Sequence, residues 1–335
     1  MNTWLITGGC GFIGTNLIQQ LLQRYPEVRI RVLDNLLVGT KQDLAEVCDF
    51  QEATSSSPLS NSEGPAGSVQ LVVGDIRDFA TCSRCCEGAD IIVHLAANTG
   101  VAPSVEDPRA DMEANVIGTF NMLEAARRNN VARFIFASSG APIGETEPPI
   151  HEEKAPRPVS PYGASKLAGE GYCSAYFRTF GVKTVSLRFG NIYGPRSKHK
   201  SSLVAKFIKN ALSGQDLEVY GDGGQTRDFI YIDDMIEAIL LSSKTDVGGE
   251  VFQIATYKET TVNEITSSIQ ELFKKTTGKT VTVVHGDSRL GDVRRNYSDI
   301  TKATKVLGFK PRYDLEQGLK ETLEYFLKRE GGLVS

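Results

Sequence analysis

The chain is predicted to be an α/β protein built on a doubly wound parallel sheet, with a smaller mixed α/β lobe. Three observations carry that prediction. Short apolar runs alternate with helical patterns of a dozen or more residues, a glycine-rich turn joins the first strand to the first helix, and the polar motifs fall at the C-terminal ends of the strands. Ligands of such sheets bind beyond those ends.

The first strand, Thr3 to Ile6, runs into Thr7-Gly8-Gly9-Cys10-Gly11-Phe12-Ile13-Gly14, and a helical face of Phe12, Ile13, Leu17, Ile18, Leu21 and Leu22 follows. Gly8 suits a tight turn, Gly11 a close approach of pyrophosphate, and Gly14 a close contact of helix and strand. The helix start at Phe12 and Ile13 offers N–H groups and a partial positive charge to phosphate. The spacing is G-x-x-G-x-x-G, one residue longer than the commoner dinucleotide fingerprint. The second strand, Arg29 to Leu33, ends in Asp34-Asn35, with Asp34 20 residues beyond Gly14. A carboxylate there accepts from both ribose hydroxyls and repels a 2′-phosphate, so this Rossmann-type unit is expected to bind NAD rather than NADP.

A short helix is expected over about Lys41 to Cys48, then a mobile surface loop over Gln51 to Ser68, which is rich in Ser, Gly and Pro. The third strand, Val69 to Val73, leads to Gly74-Asp75-Ile76-Arg77-Asp78. Asp75 is placed to meet an adenine amino group with Ile76 against the ring; a helix N-cap is its structural alternative. The fourth strand, Ile91 to Leu95, runs into Ala96-Ala97-Asn98, whose small side chains let a cofactor lie on the backbone. A helix over Met112 to Asn129 and a strand over Phe134 to Ala137 complete the alternation.

That fifth strand ends in Ser138-Ser139-Gly140, and Tyr162-Gly163-Ala164-Ser165-Lys166 begins 23 residues beyond Ser139. Tyr162 and Lys166 share one helix face on adjacent turns. The ammonium is expected to lower the phenol's pKa from about 10 towards neutrality. With a strand-end serine and a nicotinamide, this set makes a proton-relay site for oxidising an alcohol.

Composition narrows the partners. The net charge of −4 and the pI of about 5.7 exclude a basic nucleic-acid footprint, although Arg196-Ser197-Lys198-His199-Lys200 could meet an anionic small molecule. No apolar run reaches membrane-spanning length and the chain opens on a core strand, so a cytoplasmic protein is expected, with neither nucleic acid nor membrane as partner. Cys82-x-x-Cys85-Cys86 lacks the second ligand pair that zinc requires, and no metal is expected.

Together these residues resemble the extended short-chain dehydrogenase/reductases, specifically the NAD-dependent nucleotide-sugar epimerases and dehydratases. The resemblance spans nearly the whole chain: Thr7 to Gly14, Gly74 to Asp78, His94 to Ala97, Ser138-Ser139, Pro161 to Lys166, Arg188 to Pro195, Tyr220 to Gly223, Thr226 to Ile230 and Gly291 to Arg295. It implies that Tyr162 is the base, that Lys166 holds the nicotinamide ribose, and that Ser139 bridges to the reacting oxygen. It further implies cofactor contacts at Gly8, Gly11, Phe12, Ile13, Gly14, Asp34, Asn35, Asp75, Ile76, Leu95, Ala96, Ala97 and Asn115. Substrate contacts fall to Ser139, Gly140, Asn191 and Asp292, with Val219 and Tyr220 against the base and Arg227 and Arg289 clamping the diphosphate. For Arg227, an ion pair with Asp228 is the structural alternative.

Two departures bear on function. Pro142-Ile143-Gly144 replaces the family's Val-Tyr-Gly, leaving Ser138 or Ser139 as the working hydroxyl. Ser139-Gly140-Ala141 stands where dehydratases carry Thr-Asp-Glu, and decarboxylases place a glutamate at Ala141, so neither reaction is favoured. The implied activity is a UDP-sugar 4-epimerase, on UDP-glucose/galactose or an N-acetylhexosamine. UDP-glucuronate, another nucleotide-sugar epimerase or dehydrogenase, and a non-catalytic NAD-binding scaffold are the alternatives. The implied assembly is a homodimer packed through helices Met112–Asn129 and Tyr162–Gly181; Met112, Val116, Phe120 and Leu123 lie on a face that packing against the sheet would equally use. The expected division is residues 1–188 for NAD and 189–335 for the nucleotide sugar, with segments such as 229–256 returning to the first domain.

Overall fold

Strands β1 (Thr3–Thr7), β2 (Arg29–Asp34), β3 (Gln51–Ala53), β4 (Val69–Val73), β5 (Ile91–His94), β6 (Arg133–Ser139) and β7 (Thr184–Phe189) join Glu250–Ile254 in one sheet. The structure, a computed structural model, describes residues 2–53, 65–288 and 293–331. The spatial order is Glu250–Ile254, β7, β6, β5, β1, β2, β4, β3, and all pairings from β7 to β3 are parallel. The sheet is doubly wound, as expected: the chain moves outward from β1 to β2 on one side and to β5 on the other. Register aligns the strand ends, with Thr7 opposite Leu33 and His94, and His94 opposite Phe136. The glycine turn, Asp34, Leu95–Ala97 and Ser139 therefore emerge along one edge of the sheet.

Burial explains why these runs are strands. All of β1 is buried, and Leu5, Ile6, Leu33, Leu71, Phe134 and Phe136 are wholly so, as strands covered on both faces require. Cys82, Cys85 and Cys86, on the helix Phe79–Cys86, pack into the same core with Met122, Leu123 and Tyr176. Among the described residues no group of three or more His, Cys, Asp or Glu side chains could hold a metal ion, and no helix is long and apolar enough to cross a membrane.

Three local expectations need correction. Gln51–Ala53 is an edge strand paired with β4 rather than loop, because a short polar segment still gains a hydrogen-bond ladder on an existing edge; residues 54–64 of that predicted loop lie outside the described residues. The helix expected at Met112–Asn129 starts earlier and changes pitch: Pro108–Met112 is α-helical, Glu113–Ile117 is a π-helical turn, and Gly118–Arg128 is α-helical again. In the widened turn the Asn115 carbonyl accepts from Thr119 Oγ1 at 2.6 Å, and a Cβ on Gly118 would stand 2.5 Å from Ile76. Leu123 lies in the core rather than on an outer face, whereas Met112, Ile117 and Phe120 are exposed, as are Tyr172 and Phe180 of the helix Pro161–Phe180.

The chain divides into two compact units: Met1–Glu145, Glu152–Phe189 and Ile236–Phe252 form the first; Thr146–His151, Gly190–Met235 and Gln253–Ser335 form the second. Among its described residues the second holds three two-stranded sheets, pairing Asn191–Tyr193 with Phe229–Tyr231, Leu217–Tyr220 with Val283–Gly286, and Thr226–Arg227 with Thr260–Thr261. Helices Leu203–Leu212, Val262–Thr277, Thr301–Leu307 and Leu315–Gly331 accompany them. Its hub is the buried Asp228, whose Oδ1 accepts from the Thr256 N–H and hydroxyl and whose Oδ2 accepts from the Tyr257 and Ser298 N–H groups. All four lone-pair positions are filled, which leaves none for the Arg227 ion pair that was the structural alternative.

Candidate active site

The glycine turn is shaped by close backbone approaches. Gly8 sits at φ +69°, and a Cβ there would come within 2.8 Å of the Ala96 nitrogen; one on Gly14 would lie 2.5 Å from the Gly9 Cα. Gly11, the N-cap of the helix Phe12–Arg24, brings no side chain to cap it, so the first turn around Phe12, Ile13 and Gly14 suits a phosphate. Asp34 ties this turn to β2: its Oδ2 accepts from the Cys10 N–H at 2.9 Å and its Oδ1 from the Leu36 N–H at 2.8 Å. Burial raises its pKa, and these two N–H groups pull it back. Each oxygen keeps one lone pair, which fits a ribose diol and not a phosphate.

Asp75 is more committed than the sequence suggested. Arg77 donates to it from its main chain, Nε and Nη2, and Asn35 Nδ2 adds a fourth bond at 3.2 Å. The side-chain bond from Arg77 holds its pKa down to about 2. An adenine amino group could be received only if Arg77 or Asn35 released a lone pair. The N-cap considered for Asp75 belongs instead to Asp78, which accepts from the N–H groups of Ala80 and Thr81. Ile76 is buried against Gly118.

Beyond β5, the Leu95 N–H donates to the Thr7 carbonyl and the Ala96 N–H to Thr7 Oγ1, both at 3.1 Å, with Ala97 following. His94 lies between two threonines, Nδ1 at 2.8 Å from Thr7 Oγ1 and Nε2 at 3.1 Å from Thr119 Oγ1. Thr119 spends its proton on the Asn115 carbonyl, so Nε2 carries the hydrogen and Nδ1 accepts from Thr7. Burial lowers the His94 pKa to about 3, which keeps the ring neutral.

Two adjacent serines separate cleanly. Ser138 Oγ donates to Glu170 Oε1 at 2.6 Å, and Glu170 is paired through both oxygens with Arg188 at 2.7 Å, all three side chains buried. Ser139 Oγ instead accepts from the Ala141 N–H at 3.2 Å and hydrogen-bonds Tyr162. A Cβ on Gly140, the next residue, would meet nothing within 4 Å beyond its chain neighbours among the described residues. Ser139, Tyr162 and Lys166 lie together, on β6 and the helix Pro161–Phe180, whose N-cap Ser160 accepts from the Gly163 N–H at 3.1 Å.

The expected fall in the Tyr162 pKa is not what the fold produces. Burial raises it, Ser139 lowers it in part, and the charge of Asp111 raises it again. Lys166 Nζ donates to the Ala137 carbonyl at 2.8 Å and stands 5.9 Å from the Tyr162 ring centre, so the phenolate loses more hydration than the ammonium returns. Lys166 itself is pushed down to about 8, chiefly by burial. Asn115 is buried in the π-helical turn; its Nδ2 faces Asn98 O and Asp111 Oδ1, each at 2.8 Å, and Ser165 Oγ at 3.3 Å, while its Oδ1 accepts from the Asn98 N–H.

The second unit has its own pocket, about 250 Å³, in which Asn191, Val219, Tyr220 and Arg227 all take part. Arg227 Nη1 donates to the Thr226 and Val293 carbonyls at 2.7 Å. Arg289 and Asp292 lie outside the described residues. Sequence reasoning missed Ser201, Ser202, Leu203 and Lys206, which line the same pocket. Ser202 heads the helix Leu203–Leu212 without capping it, and its buried hydroxyl has no hydrogen-bond partner among the described residues. A bound group carrying acceptor oxygens would satisfy both the hydroxyl and the helix N–H groups. The serine pair just before a strongly apolar helical pattern was the available signal. Lys206 Nζ contacts Glu218 Oε2 and the Tyr220 hydroxyl, each at 3.3 Å. In the basic run, the Lys198 and Lys200 carbonyls accept from Lys209 Nζ at 3.0 and 2.9 Å.

Residues 4–255 match the NAD dependent epimerase/dehydratase family. A putative UDP-glucose 4-epimerase of Methanocaldococcus jannaschii is 35% identical over 326 residues, covering 96% of this chain and 97% of its own. The crystal structure of a Thermotoga maritima UDP-glucose 4-epimerase with UDP-glucose superposes with a TM-score of 0.85 at 34% identity, covering 98% of this chain and 99% of that one. A Thermus thermophilus UDP-glucose 4-epimerase in complex with NAD gives 0.82 at 32% identity, covering 97% and 99%. The chain belongs to the NAD-dependent epimerase/dehydratase family, an enzyme family acting on nucleotide sugars with NAD as cofactor.

Proposed function

We propose that this enzyme is a UDP-sugar 4-epimerase. The observation that carries the reading is Ser139 in contact with Tyr162 and next to the uncrowded Gly140, with no acid at Gly140 or Ala141. Loss of water across C5–C6 needs an acid and a base on the sugar, and the segment after Ser139 supplies neither. Epimerisation at C4 needs only one proton acceptor, one hydrogen-bond donor and room for the sugar to turn.

NAD, bound at the glycine turn and Asp34, supplies a reversible hydride acceptor and a positive charge. Tyr162 takes the C4 hydroxyl proton on its phenolic oxygen and later returns it to the 4-keto sugar. Ser139 hydrogen-bonds the same sugar oxygen. Lys166, cationic below about pH 8, favours the phenolate. The pocket of Asn191, Ser202, Tyr220 and Arg227 is assigned to the UDP moiety, which must be held while the sugar turns. The exposed Phe120, Tyr172 and Phe180, linked edge to face through Tyr176, support a homodimer packed through the helices that carry them, since single exposed apolar residues are ordinary but a linked aromatic set is not.

Turnover in deuterated water tests the reaction type. Hydride returned from the cofactor leaves protium at C4 and C5 of the product, whereas dehydration chemistry washes solvent deuterium into the sugar. Mass and proton spectra without incorporation are expected; deuterium in the product would contradict the reading.

A further inference from the structure

Asp111 is a buried carboxylate that the reaction scheme above does not use. It lies on the helix Pro108–Met112, which packs against the helix carrying Tyr162 and Lys166, and it is 1% exposed. Its Oδ1 accepts from Asn115 Nδ2 at 2.8 Å, the same amide reaches Ser165 Oγ at 3.3 Å, and Ser165 donates to the main-chain carbonyl of Tyr162 at 2.9 Å. A line of polar contacts therefore runs from the carboxylate to the backbone of Tyr162. Its Oδ2 is buried and among the described residues accepts no well-formed hydrogen bond, while the Ser165 hydroxyl bears on the carboxylate directly. A carboxylate so placed weakens the fold unless its charge serves a neighbour.

The neighbours are few. Asp111, Glu170 on the same helix as Lys166, and the Cys173 thiol bear on Lys166, which in turn bears on His94 of β5. Asp111 and Ser139 bear on Tyr162; Ser165, Lys166 and Asn115 bear on Asp111. Glu170 is neutralised by Arg188. Among the described residues no arginine pairs with Asp111, and Lys166 is the cation that answers it.

We propose that Asp111 is a positioning residue for the Tyr162–Lys166 pair, holding their helix at Ser165 through Asn115 and supplying the negative charge that balances the Lys166 ammonium. For its activity readout this rests on the epimerase reading. The negative charge favours the ammonium and opposes the phenolate, so removing it moves both titrations to lower pH. Asp111→Asn is therefore expected to shift the acid and alkaline limbs of the kcat profile together, by about one pH unit towards acid, with lower kcat and little change in KM. Asp111→Ser, which keeps an acceptor for Asn115 but no charge, should give the same shift.

A reading that needs no sugar separates failure of this assignment from failure of the epimerase reading. The tyrosinate absorbance of the NAD-loaded protein, less that of its Tyr162→Phe counterpart, follows the Tyr162 phenol alone and should also move towards acid. A titration and limbs that stay in place, with only the height reduced, would overturn the assignment, as would loss of folding in both variants. Those outcomes describe a carboxylate that merely supports the helix.

Discussion

Replacing Tyr162 by phenylalanine is expected to lower kcat by about a hundred- to ten-thousand-fold, the range for losing a positioned acid–base group. KM and the NAD content of the purified protein should change little. The phenol ring keeps its place on the helix Pro161–Phe180, and only the oxygen that bonds Ser139 is lost. Turnover and stoichiometric NAD, measured on the same preparation, check both halves. Unchanged turnover would remove Tyr162 from the chemistry.

Gly14→Ala is expected to be nearly as damaging by a different route. The added methyl would lie 2.5 Å from the Gly9 Cα and 2.6 Å from the Gly8 carbonyl oxygen, and both belong to backbone that has nowhere to yield. The first turn of the helix must then lift away from the glycine turn, moving the N–H groups assigned to the pyrophosphate. Overpacking of this kind costs about 1–3 kcal/mol of stability. The larger effect should be the loss of NAD from the purified protein, read by absorbance after denaturation. Full NAD content in the variant would show that this turn does not hold the cofactor.

The parts of the site that were legible in the sequence are those whose geometry is local. Gly8, Gly11 and Gly14 are fixed by a turn and one helix start, Asp34 by the end of the next strand, and Tyr162 with Lys166 by helical spacing. Apolar runs gave the parallel sheet for the same reason: a strand covered on both faces must be apolar throughout. What depended on partners far along the chain could not be read. Sequence does not show that Glu170, paired with Arg188, engages Ser138 and leaves Ser139 to Tyr162. Asp75 is claimed by Arg77, two residues away, but only the turn beyond β4 brings the guanidinium round. The Tyr162 pKa moves opposite to expectation because helical spacing places Lys166 on the right face but says nothing of how much water the phenol loses. The π-helical turn, and with it Asp111 facing the helix of Tyr162, has no periodicity signal, since one widened turn looks helical in sequence.

The measurement that bears most directly on the central claim is incubation of the purified protein with UDP-glucose, UDP-N-acetylglucosamine and UDP-glucuronate in turn, followed by proton NMR with absorbance monitored at the NADH band. Inversion at C4 of at least one sugar, seen as exchange of axial and equatorial H4 signals, is predicted with no accumulation of NADH. Net NADH, a persistent 4-keto product, released carbon dioxide, or no conversion of any of the three would contradict a UDP-sugar 4-epimerase.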